Sequence, residues 1–145
     1  MKDDLYADPI ITWAKDKTHE RPLSNADISV RLSNPLCGDM VTIEIKCKGN
    51  SIVKIAHQVR GCLLCKASAA HLASLAAGLD AHGLKEIYDA LKEALKSSDD
   101  DHPFPPDYTM FAPVRAHKSR HSCVLLPYEA AIKALAAQGV ENDPT

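Results

Sequence analysis

The sequence predicts an α+β fold: a small antiparallel three-stranded sheet covered by helices. Three observations predict it. Residues 28–32 and 41–47 alternate apolar and polar side chains, the mark of strands with one buried face. Lys48-Gly49-Asn50-Ser51 is a hairpin signal that turns the second strand back into a third over residues 52–59. Ala- and Leu-rich stretches at helical spacing then supply the cover that such a sheet requires.

Taken in order, residues 9–17 suit a short amphipathic helix carrying Ile10, Ile11 and Trp13, with Asp8 as its cap and Pro9 at its first position. Residues 18–27 hold a proline and mixed charges and are expected as loop. After the first strand, Asn34-Pro35-Leu36-Cys37-Gly38-Asp39 is a tight turn, stiffened by Pro35 and allowed to fold back by Gly38. A helix is expected from Cys62 to about Ala77, ended by Gly78, with Leu64, Ser68, His71, Leu72, Leu75 and Ala76 near one face. A second follows over residues 84–95, with Leu84, Ile87, Tyr88, Leu91, Ala94 and Leu95 on its apolar side. Residues 97–113 contain Asp99-Asp100-Asp101 and four prolines, and are expected as an exposed loop or an inserted excursion. A last helix is expected over residues 127–138. No repeat or second domain is visible, so residues 1–145 are expected to form one domain.

Composition narrows the function. A formal net charge of −2 over 145 residues, with the basic residues scattered, offers no field for nucleic acid or an anionic membrane. Aromatic residues are only 5% of the chain, too few for base-stacking platforms. Without a membrane-length apolar run or a signal peptide, a cytoplasmic location is expected. There, five cysteines are expected as ligands, nucleophiles or core thiols rather than disulfides.

Four side chains stand out as metal ligands. Cys37 and Asp39 offer a thiolate and a carboxylate from one glycine-hinged turn between two strands. Cys62 opens a helix, where the positive end of the dipole favours thiolate. Cys123 follows Arg115, His117, Lys118, Arg120 and His121, a basic approach expected to depress its pKa. Cys65 completes a Cys-x-x-Cys pair with Cys62, readable as a redox couple or as a further ligand that displaces Asp39. His121 is an alternative ligand, Cys47 is expected in the core, and His57, His71, His82 and His102 are expected as surface or satisfied core residues. Three thiolates and a carboxylate suit tetrahedral Zn²⁺ and iron alike.

The segments Asn34-Pro35-Leu36-Cys37-Gly38-Asp39, Gly61-Cys62 with Ala67-Ser68, and Cys123 before Leu126 and Ala130 together resemble the U-type iron–sulfur cluster assembly proteins, the IscU and NifU amino-terminal domain family. The resemblance runs from about Asn34 to Ala137. It is nearest the SufU branch, because Arg120 stands three residues before Cys123 and 61 residues separate Cys62 from Cys123. Departures are Cys65, where many relatives carry a small residue, and a first helix without that family's Asp-His-Tyr and Asn-Pro-Arg pieces. The resemblance implies a SufE/NifU-like fold with Cys37, Asp39, Cys62 and Cys123 at one end, and Cys65, Arg120 and His121 as auxiliary candidates. It implies a scaffold or sulfur-relay protein rather than a conventional enzyme. Its cofactor would be Zn²⁺ or a transient [2Fe–2S] or [4Fe–4S] cluster, and its partners a SufS- or IscS-like cysteine desulfurase and apo iron–sulfur proteins. Cys37 is expected to accept persulfide sulfur. The rival expectations are a structural zinc module without sulfur transfer and, more remotely, a metal-dependent hydrolase.

Overall fold

The computed structural model describes residues 8–36 and 38–142, the side chains of 138–142 excepted. Cys37 therefore lies outside the described residues, as do 143–145 of the carboxyl end. Helix α1 spans Asp8–Ala14, strands β1, β2 and β3 span Ile28–Asn34, Asp39–Lys48 and Ser51–Arg60, and helices α2, α3 and α4 span Leu63–Leu75, Ala81–Lys96 and His121–Asn142. A 3₁₀ segment, Thr109–Ala116, and a single 3₁₀ turn, Lys118–Arg120, lead into α4.

The sheet is antiparallel in the order β1-β2-β3. Its register pairs Val30 with Ile43 and Ile43 with His57, and likewise Ile28, Ile45 and Ile55, and Leu32, Val41 and Val59. Because side chains alternate faces, these nine residues share the inner face. The inner face meets α4 over β1 and β2, and α2 over β3; α1 packs on α2, and α3 on α4. A register shift beside Lys46 and Cys47 leaves Val53 as the extra residue of a bulge near the far end of the sheet.

Several boundaries differ from expectation, each for a physical reason. α1 stops at Ala14, where the Asp16 carboxylate takes up both the N–H and the hydroxyl of Thr18. α2 is buried nearly all round, from Leu64 to Ala73, rather than along one face, so it is the central helix of the molecule. α3 begins earlier because Asp80 caps it, accepting from the Gly83 N–H at 2.8 Å. α4 runs back to His121, with Pro127 inside it. Pro127 cannot donate to the Cys123 carbonyl, a loss worth about 3 kcal/mol in a helix interior. Burial of Cys123, Val124, Leu125 and Leu126 offsets it.

The acidic, proline-rich excursion is also corrected. It is not simply an exposed loop, since Tyr108, Phe111 and Val114 are buried in the core. Arg115 staples the rest. Its guanidinium donates to the carbonyls of Ala94, Asp99, Asp100 and His102 and stacks over the Phe104 ring at 4.8 Å. Beneath this loop, His71 meets Trp13 and Tyr108 edge-on at 5.0 and 4.8 Å, and the Tyr108 and Tyr128 hydroxyls bond each other. His57 and His71 are buried, but they are not satisfied. Neither ring nitrogen of His57, nor Nδ1 of His71, has a hydrogen-bond partner among the described residues.

Candidate metal centre

The site grows from the β1–β2 turn. Asn34 and Asp39 pair across it, closing the loop. The Asn34 side-chain oxygen accepts from the Leu36 N–H at 3.0 Å, and its carbonyl accepts from the Gly38 N–H at 2.8 Å. Gly38 sits at φ +77°, a left-handed conformation that favours glycine, as the turn required. Leu36 projects at 92% exposure.

Asp39, the first residue of β2, is only 2% exposed. The antiparallel register that pairs Met40 with Arg60 brings Asp39 against Gly61. A Cβ on residue 61 would stand 2.1 Å from Asp39 Oδ1, so the carboxylate fills the space that a side chain would take. The same Oδ1 accepts from the Cys62 N–H at 3.0 Å, and Oδ2 lies 3.5 Å from Cys62 Sγ. Cys62 is the N-cap residue of α2, and its thiol lies near the Leu64 and Cys65 N–H groups without closing a full capping hydrogen bond. The thiol is left for the site, and the Asp39 charge lies where a helix amino terminus favours an anion.

Cys123 arrives from the first turn of α4 and is fully buried. Ser68 fixes that helix against α2 by donating to the Val124 carbonyl at 2.6 Å. The ligand atoms of Asp39, Cys62 and Cys123 all lie within 4.8 Å of one another. A tetrahedral ion with sulfur at about 2.3 Å and oxygen at about 2.0–2.2 Å needs ligand–ligand edges of about 3.5–3.8 Å. The 3.5 Å between Cys62 Sγ and Asp39 Oδ2 matches such an edge, and the donor set fits zinc or iron.

Electrostatics divides the two thiols. The Cys62 pKa is lowered, chiefly because the Cys123 thiol donates to its sulfur, with help from the backbone N–H groups of Cys65 and Leu64. Burial and the Asp39 charge oppose this. Expectation had the direction right but gave the helix terminus the leading part. For Cys123 the direction itself is corrected. Its pKa is raised, by the hydrogen bond to Cys62, by burial and by Asp39, and the basic residues before it do not reverse this. The two thiols share a hydrogen bond, so they ionise in succession and not independently.

The remaining predicted residues fall around this group. Cys65 is fully buried in the hydrophobic core and is not one of the three converging side chains. His121 is half-buried, with Nε2 3.1 Å from the carbonyls of Val114 and Arg115. Carbonyls only accept, so this nitrogen carries the proton and ties the 3₁₀ segment to the start of α4. Arg120 ends the 3₁₀ turn three residues before Cys123. Cys47 is half-buried at the far end of the sheet, packed against the core. Sequence reasoning missed the parts played by Gly61, Ser68 and Arg115. The glycine joining a strand to a thiol-bearing helix was the one visible hint.

An α+β protein that gathers a carboxylate and two thiols beside a helix amino terminus carries the donor set of a candidate metal site. Residues 5–134 match the model of the NifU-like N terminal domain, and the chain belongs to that family. It is 33% identical to iron–sulfur cluster assembly scaffold protein IscU 1 of Archaeoglobus fulgidus over 92 residues, 63% of this chain. That match spans 60% of the relative's length. The IscU scaffold protein of Thermotoga maritima is 23% identical over 134 residues, covering 90% of this chain and 92% of that one. Among solved structures, the NifU-like amino-terminal protein of Brucella abortus superposes with a TM-score of 0.85 at 29% identity, covering 97% of each chain. A SUF-system scaffold protein of Fervidobacterium islandicum has the same fold, with a TM-score of 0.79 at 22% identity over 93% of this chain and 99% of that one.

Proposed function

We propose that this protein is a scaffold for iron–sulfur cluster assembly whose ligand set is Cys37, Asp39, Cys62 and Cys123. The observation that carries the reading is the convergence of Asp39, Cys62 and Cys123 from three distant stretches of chain to within 4.8 Å. Cys37, two residues from Asp39 on a turn with an exposed tip, supplies the fourth donor. The cluster is cargo: iron and sulfide are held by the thiolates while it forms and are then passed to apo proteins.

Sulfur arrives as persulfide from a cysteine desulfurase. The accepting thiolate forms a bond to the outer sulfur, the donor S–S bond breaks, and the desulfurase cysteine departs as thiolate, so no oxidant is consumed. We assign acceptance to Cys37, because its glycine-flanked turn stands at the surface whereas Cys123 is buried. Resident Zn²⁺ on the same four residues would supply positive charge that keeps their thiols ionised between transfers. Asp39 holds one oxygen toward Cys62 Sγ and the other on the Cys62 N–H, and so can return to the same place whenever a thiol leaves.

Elemental analysis and a visible absorption spectrum test the site, since a bound cluster is coloured and bound zinc is not. Incubation with a desulfurase and cysteine, followed by peptide mass spectrometry, tests the transfer. One added sulfur on the Cys37 peptide supports the assignment, and sulfur found on Cys123 alone overturns it.

A further inference from the structure

Asp39 owes its orientation to an atom that residue 61 does not have. A Cβ on residue 61 would lie 2.1 Å from Oδ1 and 2.7 Å from Cγ of Asp39, while the nearest backbone atom, the Asp39 Cα, would be 3.1 Å away. The side-chain contacts are impossible, whereas the backbone contact needs relief of only a few tenths of an ångström. With any side chain at residue 61, the carboxylate is therefore the group that must leave. In leaving, it gives up the Cys62 N–H at Oδ1 and turns Oδ2 away from Cys62 Sγ.

We propose that Gly61 is the positioning residue of the metal centre: its bare Cα is the seat that makes the Asp39 carboxylate a ligand. Asp39 alone has the freedom of its side-chain torsions. The Gly61 seat and the Cys62 N–H together remove that freedom before any ion arrives, leaving one oxygen presented to the site. This inference rests on the proposed role of Asp39 as a ligand, and it names the residue on which that role depends.

The test compares the protein with Asp39→Ala, Gly61→Ala and the double variant, using Co²⁺ alone as the probe. Removing a group that orients a ligand costs about 10- to 100-fold in metal affinity. Gly61→Ala should weaken Co²⁺ binding by such a factor and shift the ligand-field bands as Asp39→Ala does, and the double variant should bind no more weakly than Asp39→Ala. Metal-free denaturation reads the seat directly. Gly61 has φ +159°, at the margin of what other residues adopt, so Gly61→Ala carries some cost in either background. The collision with the carboxylate exists only where Asp39 is present, so the stability loss should be smaller beside Asp39→Ala. Wild-type Co²⁺ affinity and bands in Gly61→Ala, additive losses in the double variant, or an equal stability loss in both backgrounds overturns the proposal. Should Gly61→Ala fail to fold, folding of the double variant supports the seat, and its failure overturns it. If Asp39→Ala binds Co²⁺ with unchanged affinity and bands, the ligand role of Asp39 falls and the proposed seat function with it. The metal-free comparison still reports the collision separately.

Discussion

Replacing Arg115 with alanine should destabilise this protein by about 3–4 kcal/mol. Four hydrogen bonds leave its guanidinium: to Ala94 and His102 in part-buried surroundings, and to Asp99 and Asp100 at the surface. A bond from a charged donor contributes about 1.5–3 kcal/mol when shielded from water, so the two part-buried bonds contribute about 3 kcal/mol at the low end of that range. The two exposed bonds add little, by analogy with exposed charge pairs. Stacking over Phe104 adds about 0.5 kcal/mol. A lysine places one charge where the guanidinium places several donors, so Arg115→Lys should recover no more than about a third of the loss. Urea unfolding of the metal-free protein is the assay. With a slope of about 2 kcal/mol per molar, the alanine variant should shift the midpoint by about 1.5–2 M. The native state of that variant should also be cut by protease within residues 97–107. A loss under about 1 kcal/mol would mean that the loop is held by Tyr108 and Phe111 alone. The effect should reach the metal centre, because the Arg115 and Val114 carbonyls hold His121, two residues before Cys123.

His57→Leu should stabilise the protein by about 1 kcal/mol at pH 7, since burial leaves both ring nitrogens without a partner among the described residues. Burial also holds the folded His57 pKa below its ordinary value, so below about pH 6.5 the unfolded chain binds a proton that the folded chain refuses. Stability therefore falls as pH falls, by up to about 1.4 kcal/mol per pH unit. His57→Leu should reduce that slope, the similarly buried His71 keeping its own share, and urea midpoints that stay parallel from pH 7 to pH 5 contradict the account. Chelation should strip the metal without unfolding the chain, because most of the buried core is built from apolar residues outside the site; loss of far-ultraviolet circular dichroism on chelation would instead favour a structural zinc module. In the metal-free protein, alkylation of Cys62 should persist at pH values where Cys47 has stopped reacting, because the Cys62 pKa is lowered while burial, with Asp27, raises that of Cys47. Mapped peptides showing both cysteines losing reactivity together would contradict this.

The three strands and the existence of the four α-helices were legible in the sequence, because alternation and helical spacing are local signals read within ten or so residues, whereas the 3₁₀ segments before α4 were not. Helix ends were less legible. Pro127 suggested a helix start, and only the burial of residues 123–126 against the sheet and α2 shows why the helix continues through it. The acidic excursion concealed Tyr108 and Phe111 for the same reason: their burial depends on His71 and Tyr128, far away in sequence. Of the site, the candidate donors and their order along the chain were visible, and the family resemblance put Cys37, Asp39, Cys62 and Cys123 together, of which the described residues bring Asp39, Cys62 and Cys123 within 4.8 Å of one another.

The amino-acid sequence by itself determined which stretches become strands and helices and which residues bring sulfur and oxygen donors. Tertiary structure alone decided that the Asp39 carboxylate rests on Gly61, that the Cys62 and Cys123 thiols hydrogen-bond each other, and that Arg115 closes a loop instead of approaching the thiols. The reason is range. Propensity and periodicity act between near neighbours in the chain, whereas a collision at 2.1 Å between residues 39 and 61, or a proton held between residues 62 and 123, exists only once sheet register and helix packing have brought them together.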